Sequence, residues 1–311
     1  MEELERQFAA WAKEQADIRA AVVIGSRARR DRPADRWSDL DVVMLAADPR
    51  RYLDDTDWLH RFGVPCVTFV EPTATGNGEE RRVLFEGGLD VDFSVLSSRG
   101  FRVLLRGLAI RQRFPAVFRR LPAGLRREAE DAARDLPAIV GRGYRVLFDK
   151  DGLFTRLLAA LARQEKGIAR PPSPAAFQEL VHDFWYHALW AARKLRRGEL
   201  WVAKSACDGS MKRQVLQMLR WHAGATRGWD QDTWHEGRFL EQWADPRAMA
   251  ELRGAFAHYD AQDVRRALPA TMALFRWLAR ETADRLGYPY PAAADDYVTE
   301  LVAEILTPVA G

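Results

Sequence analysis

The 311-residue sequence is 48% hydrophobic and 29% charged, and its eleven Trp, fifteen Phe and seven Tyr supply too much buriable surface for a disordered chain. The length suits two domains, no apolar run nears the roughly 20 residues that cross a bilayer, and two distant cysteines, Cys66 and Cys207, exclude a disulfide framework or a zinc cage. The net charge of +3 hides an asymmetry: residues 1–98 carry −6, residues 99–148 carry +8 and residues 149–311 carry +1.

Leu4, Phe8, Trp11 and Ala12 recur at helical spacing among charges and predict an amphipathic helix over 2–17. Its acidic start, Glu2-Glu3-Leu4-Glu5, is unlike an export signal, so a cytoplasmic setting is expected. Ala20 to Ile24, stopped by Gly25, and Leu40 to Leu45 have the length and composition of buried strands. Pro49 and Asp54-Asp55 introduce a helix running through Trp58 and Leu59. A third strand is expected over 65–70, followed by a turn-rich loop over 72–78. Arg82–Glu86 and Leu89–Leu96, separated by Gly87-Gly88, read as a β-hairpin. Beyond about residue 150 the strand signals stop. Ala169-Arg170-Pro171-Pro172-Ser173-Pro174 breaks the chain, and 177–197, 211–223 and 261–286 each show helical apolar spacing. A mixed α and β domain over 1–150 and an all-helical domain over 151–311 are therefore expected.

The chemistry concentrates in two stretches, Val22-Val23-Ile24-Gly25-Ser26-Arg27-Ala28 and Trp37-Ser38-Asp39-Leu40-Asp41-Val42-Val43. A strand ending in Gly-Ser lets the backbone approach an anion, since glycine presents no side chain. Asp39 and Asp41 are one residue apart on a predicted strand, so their carboxylates point the same way. Two such acids repel each other unless a cation lies between them, and an all-oxygen set suits Mg²⁺ with bound phosphates. Leu89-Asp90-Val91-Asp92-Phe93 is a second apolar strand carrying acids that could join them, either Asp90 or Asp92. Three carboxylates beside a Gly-Ser turn, with no Walker lysine, describe metal-assisted phosphoryl or nucleotidyl transfer.

This pattern resembles the polymerase-β-like nucleotidyltransferase superfamily and, within it, the aminoglycoside 6-adenylyltransferases. The resemblance extends through Leu84-Phe85-Glu86-Gly87-Gly88, 145–152, Phe184-Trp185, Glu199-Leu200, 218–221 and Tyr288-Pro289-Tyr290-Pro291, nearly the whole chain. It implies an α+β fold: a nucleotidyltransferase domain with a mixed sheet, then a helical bundle that supplies most of the acceptor pocket. It also implies ATP as co-substrate, Mg²⁺ as cofactor and an aminoglycoside, foremost streptomycin, as acceptor. Asp39 and Asp41 would hold the metal. Asp92 matches the third carboxylate, as metal ligand or as the base for the drug hydroxyl, with Asp90 the fallback. Gly25, Ser26 and Arg27 would face the triphosphate, joined by Arg193, which stands where relatives usually carry a lysine. Other hydroxylated antibiotics, or a protein side chain, are alternative acceptors. A non-catalytic or toxin-system protein of the same fold, binding nucleic acid or a partner, is the reading from another class.

On 177–197 the core stripe is Phe177, Leu180, Val181, Phe184, Ala188, Ala191 and Leu195. Asp183, Tyr186, Trp190, Arg193 and Arg197 share another side, and an acid with aromatic rings suits a guanidinium- or ammonium-bearing acceptor. Asp183, Tyr186 and Trp190 are the candidate acceptor contacts. His182 and His187, five apart, and Trp234-His235-Glu236 read as structural, and both thiols as buried or inert. The arginines at 99, 102, 106, 111, 113, 119, 120, 126 and 127 have few aromatics interleaved, and acids return at Glu128, Glu130 and Asp131, so a solvated helical face is expected there rather than a nucleic-acid surface. A monomer without membrane partners is the default.

Overall fold

The computed structural model describes residues 2–29, 34–73, 78–162, 170–233 and 235–307. Residues 74–77 of the expected loop, Ala169 of the expected breaker and Trp234 lie outside the described residues. The chain divides into two compact units, Met1–Gly167 and Ile168–Gly311.

The first unit runs α1 (Glu2–Glu14), β1 (Ile18–Ile24), a 3₁₀ turn (Gly25–Ala28), β2 (Leu40–Ala46), α2 (Arg50–Leu53), a second 3₁₀ turn (Asp57–Arg61), β3 (Pro65–Pro72), β4 (Glu79–Phe85), β5 (Leu89–Ser97), α3 (Ser98–Arg113), α4 (Pro115–Phe118), α5 (Ala123–Gly141), β6 (Arg145–Asp149) and α6 (Leu153–Ala162). The six strands form one mixed sheet in the order β3-β4-β5-β2-β1-β6. Only β2 and β5 run parallel among these neighbours; the other pairs are antiparallel. The β4–β5 hairpin turns through Gly87 and Gly88, whose φ of +82° and +77° suit glycine.

Strand alternation sends the apolar residues to both faces of the sheet. One face packs Val23, Val42, Met44, Val91 and Phe93 against α1 and the aromatic residues of the 50–62 segment. There Trp11 and Trp58 stack at 5.4 Å and Phe8 meets Phe93 at 5.3 Å. The other face packs Ala20, Val22 and Leu45 against Phe101, Leu108, Phe154 and Leu157 of α3 and α6.

Three sequence expectations change. The single helix expected through Trp58 is interrupted: the buried Arg81 guanidinium donates to the carbonyls of Tyr52 and Leu53, which would otherwise continue the helical ladder. Cys66 is exposed, because β3 is an edge strand, while Cys207 is buried as expected. The units divide at 167/168 rather than 150/151, because α6 packs its apolar side onto the sheet face and α3. Strand β6 carried no recognised signal; it pairs with β1 and keeps the chain in the sheet until Asp149.

The second unit is all-helical among the described residues: α7 (Pro174–Arg196), α8 (Leu200–Ser205), a π turn (Ala206–Ser210), α9 (Met211–Arg227), a 3₁₀ turn (His235–Gly237), α10 (Leu240–Trp243), α11 (Pro246–Ala255), α12 (Ala261–Leu286) and α13 (Ala292–Leu306). Ser173 accepts from the amide of Ala176 and Pro174 opens α7, and Gly287, with φ +68°, ends α12. The predicted stripe of α7 is the core face, with Trp185 added and Leu180 partly buried. Phe184 stacks on Phe275 of α12 at 3.6 Å. No described helix is long and apolar enough to cross a membrane.

Truncating that stack by Phe184→Ala removes a fully buried ring. We expect a loss of about 3–5 kcal/mol, read as a lowered urea midpoint of the helical unit's transition.

Candidate active site

Register brings the acids together. Asp41 of β2 lies opposite Asp92 of β5, and alternation places both carboxylates on the face that carries Val22 and Leu45 toward α3 and α6. Asp39, just before β2, turns its carboxylate to the same point. One oxygen from each of Asp39, Asp41 and Asp92 lies within 4.8 Å of the others. Asp90 pairs with Leu84 and lies one step outside the β2–β5 ladder, which begins at Leu40 and Val91; its side chain is exposed. The structure therefore assembles the cluster through Asp92.

Gly25 is the close neighbour that makes room. Its φ is +69°, and a Cβ built there would sit 1.8 Å from Oδ2 of Asp41. Glycine at this position thus leaves the Asp41 carboxylate in place and keeps it open to a ligand. Three hard oxygen donors converging on one point fit a Mg²⁺-type ion. A cavity of about 650 Å³ opens beside Asp41 on this face, floored by Ile24, Val43, Leu96 and Phe101. Asp41 is therefore reachable and not sealed under the helices.

Gly25-Ser26 opens a single 3₁₀ turn, so backbone N–H groups rather than a helix dipole would meet an anion. Ser26 Oγ lies 3.4 Å from the carbonyl of Asp39. Arg27 donates to the carbonyls of Asp39 (3.0 Å), Ser38 (2.7 Å) and Asp35 (3.2 Å). Its guanidinium thus braces the loop that carries Asp39.

Burial raises the Asp92 carboxyl to about 6, with Arg82 pulling it down and Glu80, Asp90 and Asp39 pushing it further up. Sequence reading missed Arg82, Glu80 and Glu71. Arg82 pairs in register with Asp92 across the hairpin, and its Nη2 lies 3.3 Å from Oδ2 of Asp92. The signal was available: with Phe85 opposite Leu89 at the Gly87-Gly88 turn, counting back along β4 puts Arg82 against Asp92.

In the second unit the expected polar side of α7 is present. Tyr186 is 66% exposed, Arg193 is exposed, and Trp190 is partly buried with Lys194 Nζ 5.7 Å from its ring. Asp183 accepts from Gln214 Nε2 and pairs with His187 Nδ1 at 3.0 Å. His187 is thereby a satisfied structural histidine, whereas His182 is exposed. Of the nine arginines singled out over 99–127, seven are exposed and Arg102 and Arg126 are partly buried, so they form the solvated helical face expected of them.

Residues 1–305 match the family described as streptomycin adenylyltransferase. The chain is 22% identical over 280 residues to an aminoglycoside 6-adenylyltransferase of Bacillus subtilis, covering 88% of this chain and 87% of that protein. It is 20% identical over 293 residues to one from Campylobacter jejuni, covering 90% and 87% respectively. A crystal structure of a Bacillus subtilis aminoglycoside 6-adenyltransferase aligns over 98% of both chains with 18% identity and a TM-score of 0.44.

Two outcomes follow from the carboxylate geometry. The folded state holds a proton on Asp92 between the ordinary 3.8 and about 6, where the unfolded chain does not, so this group makes stability fall as pH rises through that window. Asp92→Asn should therefore stabilise the cation-free protein by roughly 1–3 kcal/mol at pH 7.5, with the gain vanishing near pH 4, as measured by urea unfolding. Gly25→Ala should displace the Asp41 carboxylate. If Mg²⁺ or Mn²⁺ stabilises the parent protein in thermal shift assays, this variant should lose most of that gain.

Proposed function

The chain belongs to the streptomycin adenylyltransferase family, and from that premise we propose that it transfers AMP from ATP to a hydroxyl of an aminoglycoside, with streptomycin the foremost acceptor. The observation that carries this reading is the convergence of Asp39, Asp41 and Asp92 beside the Gly25-Ser26 turn.

In this proposal Asp39, Asp41 and Asp92 hold Mg²⁺. When bound, the ion would supply Lewis-acid stabilisation of the phosphate oxygens. Gly25 lets the phosphates approach the backbone, and Ser26 offers a hydroxyl donor. Arg27 acts through the loop, keeping Asp39 in position. The acceptor oxygen attacks the α-phosphorus, its bond to the pyrophosphate oxygen breaks, and Asp92 is the group positioned to take the hydroxyl proton.

Arg193 is the proposed phosphate contact from α7; as a planar, delocalised cation it can bind bidentately where a lysine would act as a point charge. Asp183, Tyr186 and Trp190 are the proposed contacts to a cationic acceptor. Gln214 and His187 fix the Asp183 carboxylate, and two exposed or half-exposed rings stand on the same helix.

The test is incubation with labelled ATP, Mg²⁺ and a panel of aminoglycosides, followed by separation of nucleotidylated products. Transfer to streptomycin is expected, and no transfer to any aminoglycoside would overturn the proposal. Asp41→Asn should abolish transfer with an unchanged circular dichroism spectrum; full activity in that variant would sink the mechanism. Asp183→Ala should raise KM for the acceptor about ten- to hundredfold, as loss of a charged hydrogen bond does, with KM for ATP little changed.

A further inference from the structure

Across the sheet face, one row runs Asp41, Asp92, Arg82 and Phe69 on β2, β5, β4 and β3. Arg82 is the cation of that row. Its Nε lies 2.7 Å from Oε1 of Glu71 and 3.4 Å from Oε1 of Glu80, while its Nη2 reaches Oδ2 of Asp92 at 3.3 Å. Glu80 is itself held by Ser94, whose hydroxyl donates to Oε2 at 3.2 Å. The guanidinium is therefore anchored on the Glu71 side by a short pair, and its link to Asp92 is a long one. Asp92 keeps only 7% of its side chain exposed, against 44% for Arg82.

Three carboxylates confined within 4.8 Å require compensating positive charge. We propose that Arg82 is a positioning residue that supplies this charge from the outer edge of the cluster when no divalent cation is bound, and competes with that cation for Asp92. Glu71 sets the strength of the competition by drawing the guanidinium away from the site. On cation entry the guanidinium needs no large excursion, because Glu71 and Glu80 already hold its other edge. This inference rests on the reading of Asp39, Asp41 and Asp92 as the metal ligands.

The two variants predict shifts of opposite sign. Removing Arg82 deletes a positive charge next to a metal ligand, so Arg82→Gln should tighten cation binding. Removing Glu71 frees the guanidinium to pair fully with Asp92, so Glu71→Gln should weaken it. A merely structural role for the cluster would weaken binding in both. The experiment is a calorimetric titration of the full chain with Mn²⁺ alone, at pH 8 and without nucleotide. We expect Kd about tenfold lower for Arg82→Gln and about three- to tenfold higher for Glu71→Gln, the scale of one screened charge at a protein surface. Arg82→Gln binding no tighter than the parent protein, or Glu71→Gln binding as tightly or more tightly, overturns the inference. Should Arg82→Gln fail to fold, Glu71→Gln decides alone. Asp41→Asn separates the two levels: if the parent protein takes up no Mn²⁺, or Asp41→Asn retains it, the metal reading falls and takes this inference with it. If Asp41→Asn abolishes binding and the opposed shifts are missing, this inference alone falls.

Discussion

Mutual repulsion among three carboxylates is the constraint around which the first unit is organised. Asp39, Asp41 and Asp92 come within 4.8 Å only because β2 and β5 run parallel with Asp41 opposite Asp92. A one-residue slip of either strand would turn its aspartate to the opposite face, into the aromatic packing of Phe8, Trp58 and Phe93. The apolar residues on both sides of the sheet forbid that slip, since Val42, Met44, Val91 and Phe93 are buried on one face and Leu45 on the other. Hydrophobic patterning thus holds in place an arrangement that electrostatics alone would disperse. Gly25 and Arg27 contribute from the loop side, one by leaving space for the Asp41 carboxylate and the other by tying down the Asp39 backbone.

The parts of this design that were legible in the sequence are those encoded locally. The strands of 18–24, 40–46 and 89–97 and the long helices of the second unit have periods that their own residues declare. Gly25-Ser26 with Asp39-Leu40-Asp41 is a local spacing, and so is the core stripe of α7. What escaped notice depends on pairing between segments. Strand β6 is short and half-exposed, and becomes a strand only by hydrogen bonding to β1. The break between α2 and the following 3₁₀ turn depends on Arg81, which arrives from β4. The choice between Asp90 and Asp92 is a matter of where the β2–β5 ladder starts, and alternation alone treats the two alike. Arg82 was recoverable from the hairpin turn, yet a basic residue in a strand carries no signal of its own.

Charge follows the same division. The excess acid of residues 1–98 includes the clustered carboxylates, whereas the excess base of 99–148 is spread along α3, α5 and the segments that follow α4 and α5. Most of those arginines face solvent, and Arg102 is spent on Asp151, which it shares with Arg19. Solvated arginines with few aromatics among them keep a helical surface hydrated.

Two buried aspartates in this chain make the contrast between structure and chemistry concrete. Asp295, fully buried in the second unit, accepts from Arg276 at 2.7 and 2.9 Å, from Arg280 at 3.1 Å and from the Tyr290 hydroxyl at 2.8 Å. Burial acts to raise its carboxyl, but Arg276 and Tyr290 outweigh it and hold the group below the usual range. That network ties the Tyr288-Pro289-Tyr290-Pro291 turn to α12 and α13 and leaves the carboxylate no spare valence. Asp92 is nearly as buried, yet it has a long ion pair to Arg82, the like charges of Glu80, Asp90 and Asp39 acting on it, and a carboxyl pushed up to about 6. A protein that needed Asp92 only for stability would gain by pairing it as Asp295 is paired, or by replacing it. Its under-compensated state is intelligible if the missing charge is brought by a ligand, which is the physical argument for reading this cluster as a working site.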